Sequence, residues 1–272
     1  MISSRGPLCV GIDPHTSLLE DWALEASADG VREFGLRVVD AAAERIGIVK
    51  PQVSFFERFG SAGVAALEDV LAAARAAGLL VIADAKRGDI GSTMDAYAAA
   101  WLTPGSPLEA DALTVNPYLG VGALTGALKF ADAHSKGLFV LAATSNPEAT
   151  ALQSARTSTG KTVAAAVVAE VTAHNAATTA TGEWASHGFV IGATVVRNEL
   201  ELPERMSPIA PILAPGFGFQ GAELADKGSL FGELAPAVIA SESRGILSAG
   251  PRGIAAAIDQ RKQMLESAQK ND

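Results

Sequence analysis

The chain has 272 residues, 49% of them hydrophobic and 19% charged, with a formal net charge of −9 at pH 7. That composition fills a core and excludes a disordered chain. The acidic balance, with no Lys/Arg block, argues against a nucleic-acid surface, although a local cationic site can still hold an anionic small molecule. No apolar run reaches the roughly 18 residues that mark a membrane span, and residues 1–7 carry no signal-peptide core. Cys9, the single cysteine, has no partner for an internal disulfide, so a reduced, cytoplasmic protein is expected. His15, His134, His174 and His187 show no ligand-like spacing; each reads as a surface or helix-end residue, and no metal site is expected.

Short apolar runs recur along the chain, separated by helix-length segments rich in Ala, Leu and Val. Strands are expected over 8–12, running to Asp13; 46–49, to Lys50; 79–83, to Asp84 and Lys86; and 112–115, to Asn116. Four more follow over 138–142, ending near Ser145; 188–191; 209–213, leading to Pro215 and Gly216; and 237–240, to Ser241. Helices are expected over 31–45, 63–77, 162–178 and 254–265, the last with Pro251 near its first turn. Eight strands alternating with helices predict an α/β protein, a closed (β/α)8 TIM barrel forming a single domain over 1–272. The longest irregular stretch, 145–160, reads as a lid or surface loop.

The third strand carries the strongest chemical signal. Residues two apart on a strand share a side, so Asp84 and Lys86 project together from its C-terminal end. Gly88 turns the chain, Asp89 follows, and Ser92 or Thr93 is placed to cap a helix through 94–98. Two carboxylates about 4 Å apart repel by about 4 kcal/mol at an effective dielectric near 20, so a lysine between them is required electrostatically. A structural ion-pair cluster is the plain alternative. Against it, other strands also end in polar groups (Asp13, Lys50, Asn116, Ser145), at the barrel face where such folds place their chemistry.

The stretch 214–222 follows the seventh strand and contains Pro215, Gly216, Gly218, Gln220 and Gly221. Its amides and the Gln220 side chain suit an anion, and a short helix over 222–226 is expected to aim its N-terminus at it. Arg244, in Ser243-Arg244-Gly245 after the eighth strand, adds a guanidinium suited to bidentate phosphate binding. Together these imply a phosphorylated substrate. Gly160-Lys161-Thr162 looks like the tail of a nucleotide P-loop, but Ala155 stands where the first glycine belongs, so the segment is expected to open a helix.

The Asp84-x-Lys86-x-x-Asp89 array, Gly11-Ile12-Asp13, Val49-Lys50-Pro51-Gln52, Asn116-Pro117-Tyr118, Pro215-Gly216-x-Gly218-x-Gln220-Gly221 and Ser243-Arg244-Gly245 together resemble the orotidine 5′-phosphate decarboxylase family, in its longer bacterial branch. The resemblance implies decarboxylation of orotidine 5′-monophosphate to UMP and CO2 in pyrimidine biosynthesis, with no cofactor and no metal. It implies that Lys86 stabilises and protonates the C6 carbanion, that Asp84 holds Lys86 and crowds the substrate carboxylate, and that Lys50 joins the charge network and touches the ribose. Asp13 would accept from a ribose hydroxyl, Ser145 or its neighbour Thr144 would read the pyrimidine edge, and Pro215, Gly218, Gln220 and Arg244 would hold the phosphate. Asp89 and Thr93 would reach the neighbouring subunit's site in a homodimer. The nearest rival is a metal-dependent sugar-phosphate decarboxylase or hexulose-phosphate synthase on a related barrel. Such enzymes place an acidic residue where Lys50 stands, and Lys50 would repel a cation. A non-catalytic phosphoribosyl-ligand sensor is the reading from a different class. It would be expected to have lost part of the Lys/Asp array, which is complete here.

Overall fold

The computed structural model describes residues 5–269. Residues 1–4, part of the stretch expected to lack a signal-peptide core, and residues 270–272 of the expected domain lie outside the described residues. Eight parallel strands pair in chain order: β1 (Leu8–Ile12), β2 (Ile48–Pro51), β3 (Leu80–Arg87), β4 (Ala112–Val115), β5 (Gly137–Ala143), β6 (Gly188–Ile191), β7 (Ile212–Pro215) and β8 (Val238–Glu242). Pairing of β8 with β1 closes the (β/α)8 barrel expected from the alternation. The main helices are α1 (Ala28–Ala42), α2 (Gly60–Ala76), α3 (Gly91–Leu102), α4 (Thr125–Ala133), α5 (Val163–Thr178), α6 (Lys227–Phe231) and α7 (Gly250–Gln269).

Two buried layers follow from the period of two along each strand. Cys9, Ile48, Ile82, Ala112, Phe139, Val190, Leu213 and Ile239, one from each strand, fill the barrel interior. The alternate residues, such as Val10, Val49, Ala83 and Leu113, face outward and pack against helix side chains including Phe34, Leu67 and Trp101. Burying each large aliphatic or aromatic group contributes about 1.5–3 kcal/mol. The amphipathic helices and the interior plug therefore close around each strand from both sides.

Local chemistry sets the element boundaries. Ser27 caps α1, accepting from the Gly30 amide at 3.1 Å. Thr162 caps α5 in the same way, accepting from Ala165 N–H at 3.1 Å, so the Gly160-Lys161-Thr162 segment opens a helix as expected. Ser92 and Thr93 do not cap α3. Gly91, with φ +53°, lets the helix begin after Ile90, and both hydroxyl residues fall in its first turn. β2 starts at Ile48 rather than at residue 46, because the Ile46 amide is spent on the Ala42 carbonyl at the end of α1. β7 starts at Ile212 rather than 209: Pro211, which has no N–H to give, sits just ahead of the strand and accepts from Phe189 N–H at 3.0 Å. The helix expected over 222–226 is absent. Ala222 bridges back to Phe217, and a single 3₁₀ turn over Leu224–Asp226 leads into α6. The stretch 145–160 holds a 3₁₀ turn at Pro147–Ala149 and one helical turn at Thr150–Gln153.

Candidate active site

One inward step beyond the apolar interior layer, the side chains become Lys50 on β2, Asp84 on β3, Thr114 on β4 and Ser241 on β8. Lys50, Asp84 and Ser241 form the floor of a cavity of about 380 Å³ at the C-terminal ends of the strands, and Thr114 lies fully buried beneath it. Asp13, Lys50, Asp84, Lys86, Pro215, Gln220 and Arg244 line this cavity. Asp89, Thr93, Ser145 and Gly218 do not. Asp89 lies in the loop after β3, where its Oδ1 accepts from Ile90 N–H at 2.8 Å, and Thr93 is exposed on α3. Ser145 is exposed, while Thr144 stands in the cavity wall, held by Gln153 Nε2 at 2.9 Å.

Asp84 is the hub. Lys50 Nζ donates to its Oδ2 at 2.9 Å, Lys86 Nζ donates to its Oδ1 at 2.6 Å, and the Thr114 hydroxyl lies 3.0 Å from the same Oδ1. Burial of Asp84 favours the neutral acid, but the two ammonium groups outweigh it and hold the carboxyl well below its usual range. Burial of Lys50 likewise favours the neutral amine, yet the Asp84 and Asp13 carboxylates hold its pKa above the usual lysine value. Both groups are therefore charged throughout the neutral range. Gln52 adds a longer contact, its Oε1 lying 3.5 Å from Lys86 Nζ.

The backbone that presents Lys86 is not a plain strand. Register on β4 steps from Ala83↔Leu113 to Arg87↔Val115, so Asp84, Ala85 and Lys86 face Thr114 alone. Lys86 has φ +48°, a left-handed conformation that costs a non-glycine residue about 1–3 kcal/mol and persists only where its surroundings hold it. Asp84 and Lys86 do meet, as strand alternation predicts, but a bulge and a left-handed residue bring them together.

At the opposite wall, Gly216, Gly218 and Gly221 carry φ values of +116°, +70° and +101°, and the loop folds onto itself. The Gly218 and Gly221 amides are spent on the Ala222 and Gly218 carbonyls, at 2.8 and 2.9 Å. Those two amides are satisfied within the loop itself. Arg244 stacks over the exposed Phe219 ring at 4.1 Å from its centroid, and both line the cavity with Gln220. Glu242, two residues before Arg244, faces outward on β8 and is wholly buried. Arg261 of α7 grips it from Nε at 3.0 Å to both oxygens. Its carboxylate occupies the space that a Cβ at Gly218 or Gly245 would need.

Several lining residues were not nominated from the sequence: His15, Gln52, Phe219 and Ser243, with Thr114 beneath them. Asp13 Oδ1 and Ser243 Oγ are buried without a hydrogen-bond partner in this wall. Counting in twos from the interior layer finds most of these: Ala112 leads to Thr114, Ile48 to Lys50 and Gln52, Ile239 to Ser241 and Ser243. His15 is held toward the neutral form, by burial and then by the Arg244 charge.

Two histidines depart from the surface or helix-end placement expected of them. His187, fully buried just before β6, and His174 of α5 meet at Asp132, with Nε2–Oδ distances of 3.0 and 2.9 Å. The three could be mistaken for a metal site. However, His187 Nδ1 lies 3.2 Å from the Leu138 amide and must accept from it, which puts the imidazole proton on Nε2, facing Asp132. That nitrogen has no lone pair to give a cation, so the donor set does not fit a metal.

Among the described residues no helix is long and apolar enough to cross a membrane. Residues 6–266 match the model of the orotidine 5'-phosphate decarboxylase / HUMPS family. An orotidine 5'-phosphate decarboxylase of Salinispora tropica is 51% identical over 255 residues, covering 94% of this chain and 90% of that one. One from Corynebacterium glutamicum is 48% identical over 250 residues, covering 92% and 88%. The crystal structure of a candidate orotidine 5'-phosphate decarboxylase from Streptomyces avermitilis superposes with a TM-score of 0.92 at 47% identity, covering 98% of this chain and 92% of the other. With its barrel, its strand-end charges and these matches, the chain belongs to the orotidine 5'-phosphate decarboxylase / HUMPS family.

Proposed function

We propose that this chain is a carboxy-lyase that converts orotidine 5′-monophosphate to UMP and CO2 without a metal, acting as a single-domain, cytoplasmic homodimer. The observation that carries the reading is the Lys50–Asp84–Lys86 triad, one buried carboxylate holding two ammonium groups at 2.9 and 2.6 Å in a cavity that Gln220 and Arg244 also line. Relatives about 50% identical that are named as decarboxylases of this nucleotide support the substrate.

Breaking the bond from C6 to the carboxylate leaves an electron pair on a ring carbon that cannot delocalise it well. A fixed positive charge at that carbon lowers the barrier because it needs no reorganisation as the charge develops. Lys86 Nζ supplies the charge, then transfers one N–H proton to C6 and regains a proton from solvent. Asp84 aims Lys86 through the 2.6 Å contact to its ammonium. Lys50 offsets the second oxygen of Asp84 and reaches toward the ribose. Asp13, with an unpartnered buried oxygen, accepts from a ribose hydroxyl. Gln220 and Arg244 hold the phosphate beside Pro215 and Gly216, which share the wall with them, and binding there offsets the cost of bringing the substrate carboxylate near Asp84. Thr144, rather than Ser145, reads the pyrimidine edge in this reading, since it is the one in the wall. Asp89 and Thr93, which lie outside the cavity of their own subunit, complete the partner's site. The lone buried thiol of Cys9, pushed up to about 12 by burial, suits a reducing compartment and takes no part.

A divalent cation does not fit this donor set. Both oxygens of Asp84 are engaged by ammonium groups, and Lys50 stands where metal-using barrels of this kind place an acid. The test is the fall in substrate absorbance on decarboxylation of orotidine 5′-monophosphate in excess EDTA. Turnover unaffected by the chelator supports the reading; no turnover, or turnover abolished by EDTA, overturns it.

A further inference from the structure

Thr114 stands directly beneath the charged triad, and no part of the family resemblance assigns it a role. Its side chain is wholly buried on β4, opposite the three-residue bulge of β3. In an unbroken parallel ladder the Lys86 amide would donate to a carbonyl of the neighbouring strand. Here the register step takes that partner away, and Lys86 N–H donates instead to Thr114 Oγ1 at 2.9 Å.

The hydroxyl has a single proton, and two acceptors lie near it: Asp84 Oδ1 at 3.0 Å and the Ala83 carbonyl at 3.4 Å. The carboxylate is closer and charged, so it takes the proton. One side chain thereby accepts from the backbone of Lys86 and donates to the carboxylate that holds the Lys86 ammonium. It fixes the lysine at both ends, through the left-handed backbone at φ +48° and through the partner of Nζ.

Resting on the decarboxylase reading above, we infer that Thr114 is a positioning residue for Lys86: its hydroxyl sets both the bulged backbone and the Asp84 oxygen against which the ammonium is aimed. It does not touch substrate. Its loss moves the ammonium away from the reacting carbon while leaving the phosphate and ribose contacts in place. The expected signature is a fall in kcat with little change in KM.

The hydroxyl, and not the bulk, makes both contacts. Thr114→Val keeps the shape and removes the hydroxyl. Thr114→Ser and Thr114→Ala both lose the methyl group and differ from each other by the hydroxyl alone, so the comparison survives even if the valine variant fails to fold. We expect kcat to fall about 10–100-fold in the valine and alanine variants, the range of a lost hydrogen bond to a charged group, with KM and UMP affinity within a few-fold of wild type. The serine variant should recover most of the rate. Hydrogen exchange at the Lys86 amide reads the same geometry without substrate: protection should persist in the serine variant and be lost in the alanine variant. Equal kcat in the serine and alanine variants, or equal protection of the Lys86 amide, overturns the inference. If wild type itself fails to turn over the nucleotide, the substrate reading falls, and the exchange comparison still decides the role of Thr114.

Discussion

Replacing Asp84 with asparagine removes a charge and keeps a shape, so the consequence can be worked from the contacts. The carboxylate lies 2.9 Å from the Lys50 ammonium and 2.6 Å from that of Lys86. At an effective dielectric near 20 each contact amounts to about 6 kcal/mol before desolvation. After desolvation, stranding one member of a buried pair costs about 3–5 kcal/mol. Lys50, whose side chain is 8% exposed, bears that cost; Lys86, at 44%, is screened by water and adds little to stability. Guanidinium unfolding of Asp84→Asn at pH 7 should therefore show a loss of about 3–5 kcal/mol. The pH dependence should change as well, from flat to rising. In wild type the Lys50 pKa is raised, so its contribution is complete below the unfolded lysine value and is lost only as pH climbs through the folded value. The Asp84 pKa is lowered, so its contribution is lost only as pH falls below the usual carboxylate range. The pair leaves a plateau between. In Asp84→Asn burial dominates, Lys50 binds its proton less tightly folded than unfolded, and stability should rise with pH from 7 toward 10. A variant as stable as wild type, with a flat profile over that range, would refute the claim that Lys50 is kept charged by Asp84.

The buried His187 titrates near 4, below the unfolded value of about 6.5, because burial disfavours its charged form. Stability should therefore drop as pH falls from about 6.5 toward 4, by up to about 3 kcal/mol, and a flat denaturation profile between pH 6.5 and 5 would contradict this. Arg244→Ala should raise KM about 10–100-fold, as for a lost charge-assisted hydrogen bond, and Phe219→Ala about 2–5-fold, as for an exposed cation–π contact. Steady-state kinetics that place Phe219→Ala above Arg244→Ala would sink that order. Mixing Lys86→Ala with Asp89→Asn, each inactive alone, should restore about a quarter of wild-type activity through one intact site per mixed dimer. No recovery after subunit exchange would mean that Asp89 does not serve the neighbouring site.

Much of this molecule could be read from residue order, and the misreadings share a physical origin. The eight strands stood out because parallel strands buried on both faces are uninterrupted apolar runs, and 112–115 and 188–191 match β4 and β6 residue for residue. The boundary at β7 slipped where Pro211 extends the apolar pattern without being able to join the ladder. Asp13, Lys50, Asp84 and Lys86 were visible because charges at the ends of apolar strands are conspicuous. Thr114 and Ser243 were not, since a hydroxyl looks ordinary until its place in the inward series is counted. The left-handed turn at Lys86 and the irregular register beyond Leu141, which sets Thr144 rather than Ser145 in the wall, arise from pairing across strands that no local pattern encodes. The Asp132, His174 and His187 cluster is silent in the sequence for the same reason: its members are far apart in the chain and meet only when α4, α5 and β6 pack together.

The central claim is that Lys86 supplies both the charge and the proton at the reacting carbon. The most direct test pairs the decarboxylation rate of Lys86→Ala with calorimetric binding of UMP to the same variant. kcat should fall at least about 10³-fold, combining lost charge stabilisation and lost proton transfer, with UMP affinity within a few-fold of wild type. A variant that retains its rate to within a factor of about ten, or that loses rate only in proportion to UMP affinity, would contradict it.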